Sequence, residues 1–421
     1  MTRSTHTPAT TPALPGLLLV DASRAPASWI VWGMSLTERL RRQGSLGGID
    51  HVVVWVGHSA AEDTVRWRTD LERLHPQRCD LVEEASQLDE ILTEHGADGL
   101  LVAEGDVVHD DRLLEHLLQQ GPGHAIVSDV AAVVWLSQEQ WNQRRTSWPD
   151  GGSRLLAEGL VCTPLAQIGD YVPELRLTIA PFMIRLTAPD QLRKVDHLMY
   201  RRTFKGVIDV VARYGYYHLV RLITRGLSRT TLSPNLFTVL SILGIWVAIP
   251  CFATGHIALG CVSAWIGVLL DSVDGKLARL TLNLSDAMGT IEHLSAMPGL
   301  GLWFIAIGWH LTSGDLITPS APMLACWATV IAFIVDKLVS GSFRKHFGRE
   351  LFDVRPLDAF FHLFAVRRNM HLLILTLGAR AHAVDAAFLV MAAGMVGTLL
   401  VHIGRYIWIA ATGGVQEADE R

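Results

Sequence analysis

Two aspartates three residues apart, Asp271 and Asp274, follow a long stretch of apolar sequence. On a helix, positions i and i+3 lie about 60° apart, so the two carboxylates share one face. A carboxylate inside a bilayer costs about 2.5–3.5 kcal/mol, and two neighbours also repel each other. A divalent cation removes both objections. Oxygen ligands suit Mg²⁺ or Mn²⁺. Gly275 leaves the backbone open to a bulky ligand. Ala278 is small and sits near the same face, and Arg279 can pair with a phosphate or a carboxylate.

The elements that must position these groups read as membrane helices. Residues 230–270 form 41 residues without Asp, Glu, Lys or Arg, enough for two spans of about 20 residues each. Their turn is expected at Ala253-Thr254-Gly255-His256. Further uncharged runs cover 293–314, 316–335 and 386–404, and a shorter one covers 369–379. The count is about six spans. Ser233 can cap the first of them, with Pro234 at the first helical position, where its missing N–H costs nothing.

Charge divides the chain in the same way. Residues 1–190 hold 15 Arg, no Lys and 26 acidic residues; 191–235 hold 9 basic and 2 acidic; 236–421 hold 12 basic and 13 acidic. An acidic segment, a basic collar and a neutral apolar segment predict a domain in water, a membrane-surface element and a membrane domain. The expected boundaries are 13–190, 191–229 and 230–411. The collar mixes Arg201, Arg202, Arg213, Arg221, Arg225 and Arg229 with Tyr and Leu, as amphipathic helices at a headgroup layer do. Lys and Arg near the span ends place the N-terminal domain and the 271–292 loop on the cytoplasmic side of an inner membrane, with Arg380 as the exception. Overall 50% hydrophobic composition excludes a disordered chain. Five scattered cysteines exclude a disulfide scaffold, and a net charge of −5 argues against a nucleic-acid partner.

The run Asp271-Ser-Val-Asp274-Gly275-Lys-Leu-Ala278-Arg279 resembles the signature of the CDP-alcohol phosphotransferase (phosphatidyltransferase) family, and Ser233-Pro-Asn-Leu-Phe-Thr238 resembles the start of that family's first span. The resemblance covers about 230–411. It implies transfer of a substituted phosphate from a CDP-linked donor, CDP-diacylglycerol or a CDP-alcohol, to an acceptor alcohol, with release of CMP, in phospholipid-type synthesis. It also implies Mg²⁺ or Mn²⁺ on Asp271 and Asp274, and cytidine near Gly275 and Ala278. Membrane lipids are implied partners, and a homodimer is compatible with the resemblance. The second half of the signature departs from the family. Counted from Arg279, its glycine falls on Met288, its third aspartate on Glu292 and its fourth on Ala296. Counted from Gly289, the last two fall on His293 and Met297. The first count keeps a carboxylate, so Glu292 is expected to complete the metal site. Neither count supplies the last carboxylate, which leaves His293 as the expected base.

Residues 13–190 alternate apolar runs (16–20, 49–56, 100–103, 124–128 and 133–136) with helix-like stretches at 35–42, 63–74 and 111–119. That is an α/β pattern with a largely parallel sheet. The piece Gly99-Leu-Leu-Val-Ala-Glu-Gly-Asp106 resembles the strand of nucleotidyltransferases that ends in a metal-binding aspartate, and Gly33-Met-Ser-Leu-Thr-Glu-Arg39-Leu40 resembles the segment after their substrate loop. The glycine loop that would cradle a phosphate is absent from 21–28, so the domain reads as a degenerate nucleotidyltransferase relative. Two further readings stand beside the enzyme. One is a catalytically impaired relative that binds CDP or metal as a membrane regulatory or scaffold protein. The other is a transporter with Asp271, Asp274, Glu292, His293 and Asp336 as an intramembrane charge path.

Overall fold

The computed structural model describes residues 16–57, 78–95, 99–148, 152–172, 175 and 177–412. The helix expected over 63–74 lies outside them. The chain splits into two compact units, Met1–Tyr171 with Thr178–Met199, and Val172–Leu177 with Tyr200–Arg421.

The first unit is built on β1 (Leu17–Asp21), β2 (His51–Trp55), β3 (Arg78–Val82), β4 (Gly99–Glu104), β5 (Val107–His109), β6 (His124–Val127), β7 (Ala132–Ser137), β8 (Val161–Pro164) and β9 (Met183–Arg185). Its helices are α1 (Leu36–Leu46), α2 (Ala85–His95), α3 (Asp111–Gln120), α4 (Gln138–Arg144) and α5 (Gly152–Leu156). Seven strands form one sheet in the order β8-β6-β7-β4-β1-β2-β3, while β5 pairs with β9. Alternate residues of β1 and β4 feed two separate apolar layers. Leu18, Val20, Leu101 and Ala103 go to one layer, and Leu17, Leu19, Leu100 and Val102 to the other. A sheet covered on both faces reads as a continuous apolar run, which is how these strands read in sequence.

The largely parallel expectation needs one correction. β7 runs antiparallel to both β4 and β6, so the sheet is mixed. Only four residues separate β6 from β7. A connection that short permits a hairpin but not a crossover, which takes a dozen residues or more.

The second unit is helical. Before the spans come α6 (Gln191–Arg201, its last two residues in this unit), a wide π-type turn at Val211–Tyr216, and α7 (Tyr217–Leu227). α7 buries Val220 and Thr224 and exposes Leu219 and Leu222 beside its arginines. The bundle is α8 (Pro234–Ala253), α9 (Ile257–Leu280), α10 (Asp286–Leu311), α11 (Ala321–Phe347), α12 (Pro356–Phe364), α13 (Arg368–Arg380) and α14 (Val384–Thr412). Five of these (α8, α9, α10, α11 and α14) are long and apolar enough to cross a membrane. The sixth expected span is not among them. The 369–379 run lies in α13, whose 13 residues reach about 20 Å at 1.5 Å each, short of a hydrocarbon core of about 30 Å.

Local chemistry sets the helix ends as the sequence predicts. The Ser233 hydroxyl accepts from the Asn235 N–H, Pro234 opens α8, and the chain turns at Thr254–His256 with Gly255 left-handed at φ 82°. The helices α8 and α9 meet backbone to backbone. A Cβ at Gly244 would stand 2.8 Å from the Gly267 nitrogen, so only glycine fits this crossing. Ser263 Oγ donates to the Gly244 carbonyl at 2.9 Å, and Trp303 Nε1 of α10 donates to the Ile245 carbonyl at 2.8 Å. Pro298 lies inside α10. Every residue of 286–298 is at least partly exposed, whereas Gly299, Leu300, Trp303, Phe304, Ala306, Ile307 and Gly308 are buried.

Candidate active site at the end of α9

Asp271 and Asp274 occupy successive positions on one face of the last turns of α9, and Asp274 is fully buried. The Gly275 N–H donates to Asp274 Oδ1, while the Thr238 hydroxyl of α8 donates to the Pro234 carbonyl at 3.4 Å. Arg368, the first residue of α13, donates from Nη2 to Asp271 Oδ2 at 2.6 Å. Glu292 of α10 is near enough for its charge to act on Asp271. Two carboxylates of α9 and the Arg368 guanidinium of α13 thus stand together, with Glu292 of α10 in their neighbourhood. Two of their oxygens, Asp271 Oδ1 and Asp274 Oδ2, are buried with no hydrogen-bond partner. A buried carboxylate oxygen left unpaired is costly unless something positive completes it.

That pair of orphaned oxygens is the fit test for a divalent cation, and the donor chemistry passes it. The cage is not ready-made. Among the described residues, no group of three or more His, Cys, Asp or Glu is arranged to hold a metal ion. One reason is visible in the contacts, since Asp271 commits its other oxygen to Arg368.

The remaining expected residues divide. Arg279 donates from Nε to the Thr203 carbonyl at 2.8 Å, and its guanidinium lies 3.1 Å from where a Gly275 Cβ would stand. The space left by Gly275 is thus lined by Arg279. Ala278 is partly buried on the same helix. His293, one residue beyond Glu292, is exposed. Asp336, a member of the expected charge path, is held by His402 Nδ1 at 2.6 Å. Arg368 has no counterpart among the residues expected from the sequence. It lies 97 positions from Asp271, and its only local signal is a pair of cations, Arg367 and Arg368, opening an apolar run.

The first unit holds the other acidic residue singled out in the sequence. Asp106 follows β4, and Glu104 ends it. Both are buried. Arg24 Nη1 lies 3.1 Å from Asp106 and 3.6 Å from Glu104, and Arg185 pairs with Asp106 at 2.6 Å and also with Glu104. Ser153 adds its N–H at 2.7 Å and its hydroxyl at 2.8 Å to Glu104. Burial opposes ionisation of Glu104, yet the Ser153 donors and the Arg185 guanidinium together hold its carboxyl below the ordinary glutamate range.

No family model matches the chain, and no curated protein matches it. Solved structures with partial likeness include phosphatidylinositol phosphate synthase PgsA1 of Mycobacterium tuberculosis with CDP-DAG bound, at 18% identity, 45% of this chain, 94% of that chain and a TM-score of 0.35. The same synthase in complex with manganese and citrate matches at 18% identity, 44% of this chain, 88% of that chain and a TM-score of 0.34. HddC from Yersinia pseudotuberculosis matches at 11% identity, 43% of this chain, 98% of that chain and a TM-score of 0.30. At scores of this size the likeness assigns no function, and any functional reading rests on the chain's own residues.

Proposed function

We propose that this chain is an integral membrane CDP-alcohol phosphotransferase. It moves a substituted phosphate from a CDP-linked donor to an acceptor hydroxyl and releases CMP, in phospholipid-type synthesis. The observation that carries the reading is the pair of orphaned buried oxygens, Asp271 Oδ1 and Asp274 Oδ2, within an Asp-x-x-Asp-Gly-x-x-Ala-Arg run. Asp271, Asp274 and Glu292 would hold a Mg²⁺ or Mn²⁺ ion, whose charge offsets that of the donor's diphosphate. Gly275 and Ala278 would border the cytidine, and Arg279 would face a phosphate. The acceptor oxygen attacks the phosphorus that carries the donor's alcohol, the bond to the CMP oxygen breaks, and the acceptor proton passes to His293. Arg368 pairs with Asp271 before the donor arrives and sets the carboxylate's orientation. The membrane is an inner (cytoplasmic) membrane, with the site on its cytoplasmic side.

The test is CMP release by purified protein from CDP-diacylglycerol and from soluble CDP-alcohols, with a panel of acceptors. Full activity in both Asp271→Asn and Asp274→Asn would sink the assignment. His293→Gln should lower turnover about 10²-fold while Mn²⁺ and CDP still bind. Unchanged turnover would remove His293 from the base role. A second reading, binding without turnover, is favoured by Ala296 at the last motif position. It predicts CDP binding with no CMP release for any donor.

A further inference from the structure

The helices α12 and α13 run antiparallel along α14. Asp358 pairs with Arg405, the Phe361 ring lies 5.8 Å from that of His402, Val366 meets Thr398, and Gly378 packs on Ala387. Between the two helices the chain leaves the helical region, with φ −53° and ψ 134° at Ala365 and φ −119° and ψ −170° at Arg367. No glycine or proline stands in 362–370. The break therefore has no local cause in the backbone and needs one from outside.

That cause lies on α14. Gly394 and Thr398 stand one turn apart near the middle of that helix. A Cβ at Gly394 would come 2.6 Å from Val366 Cγ2, so the valine lies against bare backbone. A continuous helix would give the Val366 N–H to the His362 carbonyl. Here it donates to Thr398 Oγ1 at 3.0 Å. Thr398 is 3% exposed, and its own hydroxyl proton goes to the Gly394 carbonyl at 2.9 Å. In hydrocarbon, with no water nearby, a freed backbone N–H needs such an internal acceptor.

The joint sorts two neighbouring cations. Arg367 Nη1 donates back to His362 Nε2 of α12 at 2.6 Å, whereas Arg368 Nη2 crosses to Asp271 Oδ2 of α9. Asn369 fixes the same turn from another side, its Nδ2 donating to Asp209 Oδ2 at 2.6 Å and to the Tyr216 hydroxyl at 2.9 Å. A helix advances about 1.5 Å per residue and extended chain about 3.3 Å. Closing the joint into helix would thus move Arg368 to another height and angle, away from Asp271.

We propose that Gly394 and Thr398 are positioning residues of the carboxylate site: they seat the joint 365–367 and, through it, aim Arg368 at Asp271. The consequence for metal binding rests on the proposed function; the seating of Arg368 does not.

The experiment uses the full-length protein in detergent. Thermal unfolding is measured for Thr398→Val, which keeps the shape and loses the acceptor, for Thr398→Ser, which keeps the hydroxyl, and for each combined with Arg368→Gln. The midpoint shift that Arg368→Gln causes in the native background should fall to half or less in the Thr398→Val background and return with Thr398→Ser. Additive shifts overturn the proposal. Should Thr398→Val fail to fold, Gly394→Ala decides in the same cycle: it should shrink the Arg368→Gln shift, and Val366→Ala in the same chain, which removes the closest methyl, should restore it. A shift that Gly394→Ala leaves intact overturns the proposal as well. The metal arm reads Mn²⁺ binding by electron paramagnetic resonance. Thr398→Val should weaken it about tenfold or more, because partners of metal ligands carry about 10–100-fold in affinity. Thr398→Ser should bind as the native protein does, and Thr398→Val should add nothing to Arg368→Gln. A further loss in that double variant overturns the proposal. A native protein that binds no Mn²⁺ defeats the proposed function instead, and the unfolding cycle still decides this one.

Discussion

The α/β unit and the helical unit each carry a close pair of acidic side chains at the end of a buried element, and the two pairs are neutralised in different ways. Glu104 and Asp106 are met by two arginines and a serine of their own unit. Of Asp271 and Asp274, Asp271 alone is met by Arg368, and each keeps one buried oxygen without a partner. Buried carboxylates need compensation either way. Where the protein supplies it in full, the pair is structural. Where it stops short, as at Asp271 and Asp274, the proposed function has a cation complete it. At Asp106 the compensating charges are the guanidinium groups of Arg24 and Arg185.

The largest expected difference is in turnover. Asp274→Asn should reduce CMP release about 10³-fold or more, since charge neutralisation by a bound metal is worth several kcal/mol, and should leave the unfolding midpoint nearly unchanged. Asp106→Asn should do the reverse, and a matching loss of activity there would break the contrast. Next in size, Arg185→Ala should destabilise the α/β unit by about 2–4 kcal/mol in chemical denaturation. It strands two buried carboxylates, and the arginine's 20% exposure trims the effect. A smaller effect comes from pH. Glu104 ionises more readily folded than unfolded, so its contribution is complete above the ordinary glutamate range and is lost as pH falls through that range and below it. The unfolding midpoint should therefore drop on acidification, and Glu104→Gln should flatten that dependence. The smallest change belongs to Arg24→Ala. Its side chain is 46% exposed, and the loss should stay below about 1 kcal/mol.

Local patterns carried much of this into the sequence. The spacing of Asp271 and Asp274 put them on one face, Ser233-Pro234 announced the start of α8, and the apolar runs located β1, β2, β4, β6 and β7. The reversal of β7 was also within reach, because four residues between strands leave no room for a crossover. The strands β3 and β8 were missed, as their runs are short and interrupted by Asp80, Cys79 and Pro164. What the sequence did not contain was the long-range pairing: Arg368 with Asp271, Arg185 with Glu104, Asn369 with Asp209. Such partners lie 97, 81 and 160 positions apart, and no periodicity records an ion pair or amide bridge closed by the fold.

Pro298 gives α10 two mechanical characters. Without an N–H it cannot hold the Leu294 carbonyl, so the ladder is broken at that step. The segment beyond it is clamped by Trp303 and Phe304. The segment before it, which carries Glu292 and His293, buries no residue fully and is pinned to α8 by the bond from Trp246 Nε1 to Ser295 Oγ at 2.9 Å. Amide protons of 286–297 should exchange with solvent faster than those of 299–311. Glu292 thus stands on the less packed arm of a helix whose other arm is anchored in the core.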